Sequence, residues 1–234
     1  MRIPPLPETD LANIAPLPPD IRRRALEALR LSFPPYSYAP VRANLSDILN
    51  IQTRMFGALP RTPWAKIRRD IVRRSKKDSE EIANLRVAEG LFKYVDEESI
   101  TGRRHEIFPL PLGVGTRVVF WTSVVLLIGG RPLVPFFDPR RTKSLSRTGR
   151  RFVFSVQHER VRAADPDFAE VNLGVVQFAL SEKGPRKPIV HFDIGIELFT
   201  FEQLDAMVRD TYAVWREVCE EREAASRRRA DGSI

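Results

Sequence analysis

The stretch that decides the fold runs from Thr116 to Arg162, TRVVFWTSVVLLIGGRPLVPFFDPRRTKSLSRTGRRFVFSVQHERVR. Val118 to Ile128 is rich in Val, Leu and Ile with Phe120 and Trp121, the pattern of a strand buried on both faces. Gly129-Gly130 is a two-residue hairpin signal, so Arg131 to Phe137 is expected to pair back antiparallel. Pro132 and Pro135 cannot donate to a ladder, which predicts a sheet edge or a bulge for that run. After a basic loop, Arg151 to Arg162 reads as a third strand.

Working outward toward the C-terminus, Glu170 to Leu180 and Pro188 to Glu197 read as further strands, joined through Asp165-Pro166-Asp167 and Lys183-Gly184-Pro185. Thr200 and Gln203 form a capping box for a long amphipathic helix carrying Phe201, Leu204, Val208, Trp215 and Val218 inward. Its tail from Glu220, ending in Arg227-Arg228-Arg229, is expected to fray.

Toward the N-terminus the periodicity is helical. Residues 1–19 carry six prolines and read as an extended arm. Asp20 caps a predicted helix to Leu31, with Ile21 and Leu26 inward and Arg22 to Arg24 exposed. Asn44 or Ser46 caps another, carrying Ile48, Leu49, Ile51, Gln52 and Met55. Thr62-Pro63 starts a helix to about residue 77 whose Trp64, Ile67 and Ile71 face one way and whose Lys66, Arg69 and Arg73 form a basic stripe. Asp78 or Ser79 caps the next, to Val95, with Ile82, Leu85 and Phe92 inward. The fold class is therefore α+β: a helical N-terminal half packed on a mostly antiparallel β-sheet, closed by a long C-terminal amphipathic helix. Residues 20–95 and 105–226 are expected to form one compact domain, followed by a charged tail at 227–234.

Composition bounds the function. A formal charge of +8 and a pI near 10 favour a polyanionic partner, nucleic acid before membrane. One cysteine, Cys219, excludes an internal disulfide and points to a reducing compartment. The Pro-rich start lacks a signal peptide's apolar core, and no apolar run reaches the ~20 residues of a membrane span. A cytoplasmic location follows as the expectation.

Two constellations could carry chemistry. Between Asp138 and Phe152 lie Arg140, Arg141, Lys143, Arg147, Arg150 and Arg151, interleaved with hydroxyls and Gly149. Guanidinium groups suit bidentate phosphate contacts, so this loop and the basic helix face at Lys66, Arg69 and Arg73 are the candidate nucleic-acid-binding residues. The second set is Asp138, Glu159, His191 and Asp193, acids and a histidine that a sheet could converge as catalytic groups, with Asp138 and Asp193 as ligands of Mg²⁺ or Mn²⁺.

A helix with Glu89, a hairpin ending in Asp138 and a third strand with Glu159 are loosely similar to the PD-(D/E)xK nuclease core. The likeness covers about a third of the chain and stops where that family has an acid and a lysine two residues apart, since Gln157, Glu159 and Val161 stand here. No cofactor is otherwise required. The leading expectation is a basic cytoplasmic protein that binds nucleic acid through the Arg-rich loop and the basic helix, with a metal-dependent nuclease nested within it. The alternative is a protein-interaction or scaffold component without catalysis, docking a partner through the Pro-rich arm or an apolar helix face.

Overall fold

Gly129 and Gly130, at φ of 56° and 76°, close the hairpin that seeds the sheet, with Ile128 opposite Arg131. Both central residues need positive φ, which Gly adopts without steric cost. The computed structural model describes residues 3–29, 37–51, 60–106, 110–113, 115–118, 120 and 123–231. Seven strands are described: β1 (Thr101–Arg104), β2 (Leu110–Leu112), β3 (Thr116–Val118), β4 (Val124–Ile128), β5 (Arg131–Phe137), β6 (Asn172–Phe178) and β7 (Pro188–Phe192). The main sheet has the order β1-β4-β5-β6-β7, antiparallel except for the parallel β5–β6 pair, and β2 and β3 form a separate ribbon. The α+β architecture expected from the sequence is present, including the closing helix.

Among the described residues eight α-helices surround the sheet: α1 (Glu8–Ile14), α2 (Pro19–Glu27), α3 (Ala39–Ala43), α4 (Leu45–Ile48), α5 (Trp64–Arg74), α6 (Asp78–Glu97), α7 (Arg147–Gln157) and α8 (Phe201–Asp231). The two-residue period of the strands sorts them into two cores. Val134, Phe136, Leu173 and Val175 face a cluster with α1, α7 and α8, centred on Phe120, Phe152, Phe154 and Trp215. Leu133, Phe137, Val176 and Phe178 face the opposite cluster with α3 to α6, including Ile48, Ile67, Ile71, Leu91 and Val95. β5 and β6 thus each supply both layers, which explains their near-continuous apolar runs.

Several sequence expectations change. Arg151 to Arg162 is not a strand: α7 occupies most of it and a π-helical turn (His158–Arg162) the rest. The Ser146 side chain accepts from the Gly149 N–H at 3.0 Å and starts α7, whose residues 152–157 are all buried, so neither period can be read from the sequence. α7 is the crossover that the parallel β5–β6 pair requires. β5 is central rather than an edge; its pairing to β4 covers only Arg131 to Leu133, so Pro135 lies past that ladder. The run from Val118 to Ile128 splits between β3 and β4, and Leu127 is exposed.

The Pro-rich start contains α1 rather than a purely extended arm, and it is pinned: Trp215 Nε1 donates to Pro4 O at 2.9 Å and Leu6 N–H to the Tyr212 hydroxyl at 3.2 Å. In α2 Leu26 is buried as expected, but Ile21 and Arg22 exchange places, with Ile21 46% exposed and Arg22 only 8%. Arg22 turns inward to the Leu17 carbonyl at 3.1 Å, and Asp210 lies 3.7 Å from it. Ile82 is exposed as well, and Val87, Ala88, Leu91 and Val95 form the inward stripe of α6. The helix expected from residue 44 or 46 is α4 alone; Ile51 then bridges to Gly102 of β1, and Gln52 and Met55 fall outside the described residues. The capping box is as read, with Thr200 N–H donating to Gln203 Oε1 at 3.0 Å and Gln203 N–H to Thr200 Oγ1 at 3.3 Å. α8 is helical to Asp231.

Two contacts fix α6. A Cβ on Gly90 would lie 1.8 Å from the Arg186 carbonyl oxygen, so the helix backbone meets the 179–187 loop directly. Gly90→Ala should therefore lower stability by about 1–3 kcal/mol in urea unfolding, since backbone and not a flexible side chain must yield. Glu80, 5% exposed, accepts from Lys76 N–H (2.7 Å), Ser37 N–H (3.0 Å) and the Ser37 hydroxyl (3.0 Å). The Lys76 amide, then that of Ser37, holds its carboxyl below the ordinary 4.5. A depressed folded value means the contribution is complete above the ordinary value and is lost as pH falls through the folded one. Glu80→Gln should accordingly show a shallower loss of stability than the parent between about pH 5 and pH 3.

Candidate functional site

Asp138 follows β5 and is fully buried. Its Oδ2 accepts from Leu145 N–H at 2.7 Å and Gln177 Nε2 at 3.1 Å, and its Oδ1 from Arg140 N–H at 3.4 Å. Gln177 Nε2 also donates to Leu145 O at 3.0 Å, and Arg150 Nη1 donates to Gln177 Oε1 at 3.0 Å. The carboxylate therefore pins the 138–146 loop to β6, and its lone pairs are directed at protein donors. Burial, then the neighbouring Arg147, lowers the Arg150 guanidinium's pKa.

The other members of the expected acid set do not join it. Glu159 is half-buried on the π-helical turn, placed there because residues 151–162 are helical rather than extended. His191 lies in β7 opposite Val175, its imidazole held below its usual range by burial and then by Arg150. Asp193 is gripped by Arg162, Nη1 to Oδ2 at 2.6 Å and Nη2 to Oδ1 at 3.2 Å, while Arg162 Nε donates to Val171 O at 2.8 Å. Among the described residues no group of three or more His, Cys, Asp and Glu is placed to hold a metal ion. The sequence-based ligand pair Asp138 and Asp193 is thus divided between two separate hydrogen-bonding roles.

The basic loop divides as well. Arg140 makes a two-pronged pair with Asp10 of α1, at 2.6 and 3.3 Å. Arg151 stacks over Phe199, 3.8 Å from its guanidinium carbon to the ring centroid, and lies 3.8 Å from Glu197. Arg141, Lys143 and Arg147 are exposed. On α5, Lys66, Arg69 and Arg73 are all exposed, as are Arg68 and Arg74. The loop is anchored to α1 and the basic helix packs in the other core, so the two features belong to layers on opposite faces of the sheet.

Comparison with known proteins supplies what the geometry alone does not. The family model described as sliding clamp-binding bacterial toxin SocB matches residues 9–225. A Caulobacter vibrioides protein described as DNA replication inhibitor toxin SocB is 37% identical over 227 residues, covering 97% of this chain and 95% of that protein. The chain belongs to the SocB family. No solved structure matches it. Membership overturns the leading expectation: SocB family proteins are described by their binding to a sliding clamp, and the nucleic-acid-binding and nuclease readings are withdrawn. The PD-(D/E)xK likeness goes with them, since its third acid, Glu159, sits on a helical turn. The protein-interaction alternative agrees with the family, although the arm it relied on is packed against α8. No helix among the described residues is long and apolar enough to cross a membrane. Net charge does not separate a protein partner from phosphate, because exposed Arg and Lys suit both.

Asp138→Asn should cost about 1–3 kcal/mol in urea unfolding, because its oxygen can keep the Leu145 and Gln177 donors only by turning the amide nitrogen toward the Arg140 N–H, and the bonds to a charged acceptor become weaker neutral ones. That loss should be the same with Mg²⁺ and with chelator; a cation-dependent difference would restore Asp138 as a ligand.

Proposed function

We propose that this chain binds a sliding clamp and inhibits DNA replication by occupying it. The observation that carries the reading is the family match across residues 9–225, which spans both cores of the fold. The relative named as a DNA replication inhibitor toxin aligns with nearly the whole chain, so the likeness is not confined to one segment. Inhibition by occupancy needs a surface and no reacting group. The engagement of Asp138 by Leu145 and Gln177, and of Asp193 by Arg162, is consistent with such an action. A basic exterior suits a protein partner with complementary charge as well as it suits phosphate.

The test uses the full chain and the purified sliding clamp of the organism that encodes it. Co-elution in gel filtration is expected, together with arrest of clamp-dependent primer extension and continued extension by a polymerase working without the clamp. Failure to form the complex, or equal arrest of both reactions, would contradict the proposal.

A further inference from the structure

Most of the charge on α5 enters no ion pair among the described residues. Five of its eleven residues, Lys66, Arg68, Arg69, Arg73 and Arg74, are exposed cations. Its single acid, Asp70, is engaged by Arg73 at 2.8 Å. Lys66 and Arg69 have no ion pair among the described residues. Lys66 stands in the first helical turn, where the helix dipole disfavours a cation and no acid stands in the same turn. Lys66 and Arg69, then Arg69 and Arg73, are three and four residues apart, so like charges face each other along one stripe. Arg73 and Arg74 in the last turn complement the dipole, but the charges nearer the start oppose it. Val72 lies among them and is 36% exposed. The inward residues Ile67 and Ile71 are 1% and 0% exposed, so the helix is held by its other face and the cationic stripe is free to meet a partner.

We infer that the exposed face of α5 is a docking surface for a carboxylate-rich patch on a folded protein, and, resting on the clamp reading above, that the patch lies on the sliding clamp. Complementary charge at such a contact acts mainly on encounter: it raises the association rate, and salt suppresses it. Dissociation depends more on the buried contacts than on these rim charges.

The experiment measures association and dissociation of the full chain with the purified sliding clamp of its own organism, at low and at high salt, for the parent, Lys66→Glu/Arg69→Glu and Lys66→Gln/Arg69→Gln. Both positions are exposed, so the melting temperatures should agree within about 2 °C. The double Glu variant should associate about tenfold or more slowly at low salt, with a dissociation rate within about twofold. The Gln variant should fall between them, and the three should converge as salt is raised. Parent association with an unchanged rate constant in the Glu variant would overturn this inference and leave the clamp reading standing. No association of the parent would overturn both. Tight, salt-sensitive binding of the parent to duplex DNA that the Glu variant loses, with clamp association intact, would assign the stripe to phosphate and overturn the inference.

Discussion

The guanidinium of Arg186 lies where the C-terminal ends of the two central strands meet the helical layer. It is 4% exposed and donates to the carbonyls of Pro139 at 2.6 Å, Phe178 at 2.9 Å, Ala179 at 3.1 Å and Arg140 at 3.3 Å. A buried cation is tolerated only when its donors are met, and the planar fork of five N–H groups matches a ring of carbonyls that a lysine could not satisfy. The same residue's backbone N–H donates to Arg86 O at 2.9 Å, and its carbonyl sits against Gly90. One residue therefore joins the end of β5, the end of β6 and the middle of α6. The Asp138 network fixes the other side of the same loop, through Leu145 and Gln177. The two groups form a frame that holds the β5–α7–β6 crossover against both cores.

Local signals were legible in the sequence where one residue type had one physical use. Gly129-Gly130 could serve only a turn with positive φ, and Thr200 with Gln203 could serve only a reciprocal cap. The Ile67 and Ile71 spacing marked the inward face of α5 correctly. Misreadings fell where tertiary burial erased the period. α7 is buried from Phe152 to Gln157, so its Phe and Val residues resembled a strand when only the crossover topology made them helical. Arg22 and Ile21 exchanged faces because Arg22 finds a carbonyl and Asp210 lies near it, which no helical wheel reports. Leu127 is exposed for a related reason: β4 is covered less completely than its composition implied.

The candidate site was harder, because acids and cations carry no label for their use. Asp138, Glu159, His191 and Asp193 were grouped on the assumption that residues 151–162 were extended; a helix there separates Glu159 from the sheet, and Arg162 takes Asp193. Arg140, Arg150 and Arg151 were counted as phosphate contacts, yet Asp10, Gln177 and the Phe199 ring engage them. Once the internal uses are removed, Lys66 and Arg69 of α5 remain exposed, as do Arg141, Lys143 and Arg147 of the loop, and the family is described by its binding to a sliding clamp, a protein rather than a nucleic acid. Net charge was informative about association and silent about the class of partner.

The proposed interface is directed at a protein rather than at phosphate. Amide hydrogen exchange of the full chain, alone, with its sliding clamp and with duplex DNA, tests that most directly. Slowed exchange with the clamp across residues 64–74, and no change with DNA, is the predicted result. Unchanged exchange throughout with saturating clamp, or slowing with DNA over residues 64–74 or 139–151, would contradict it.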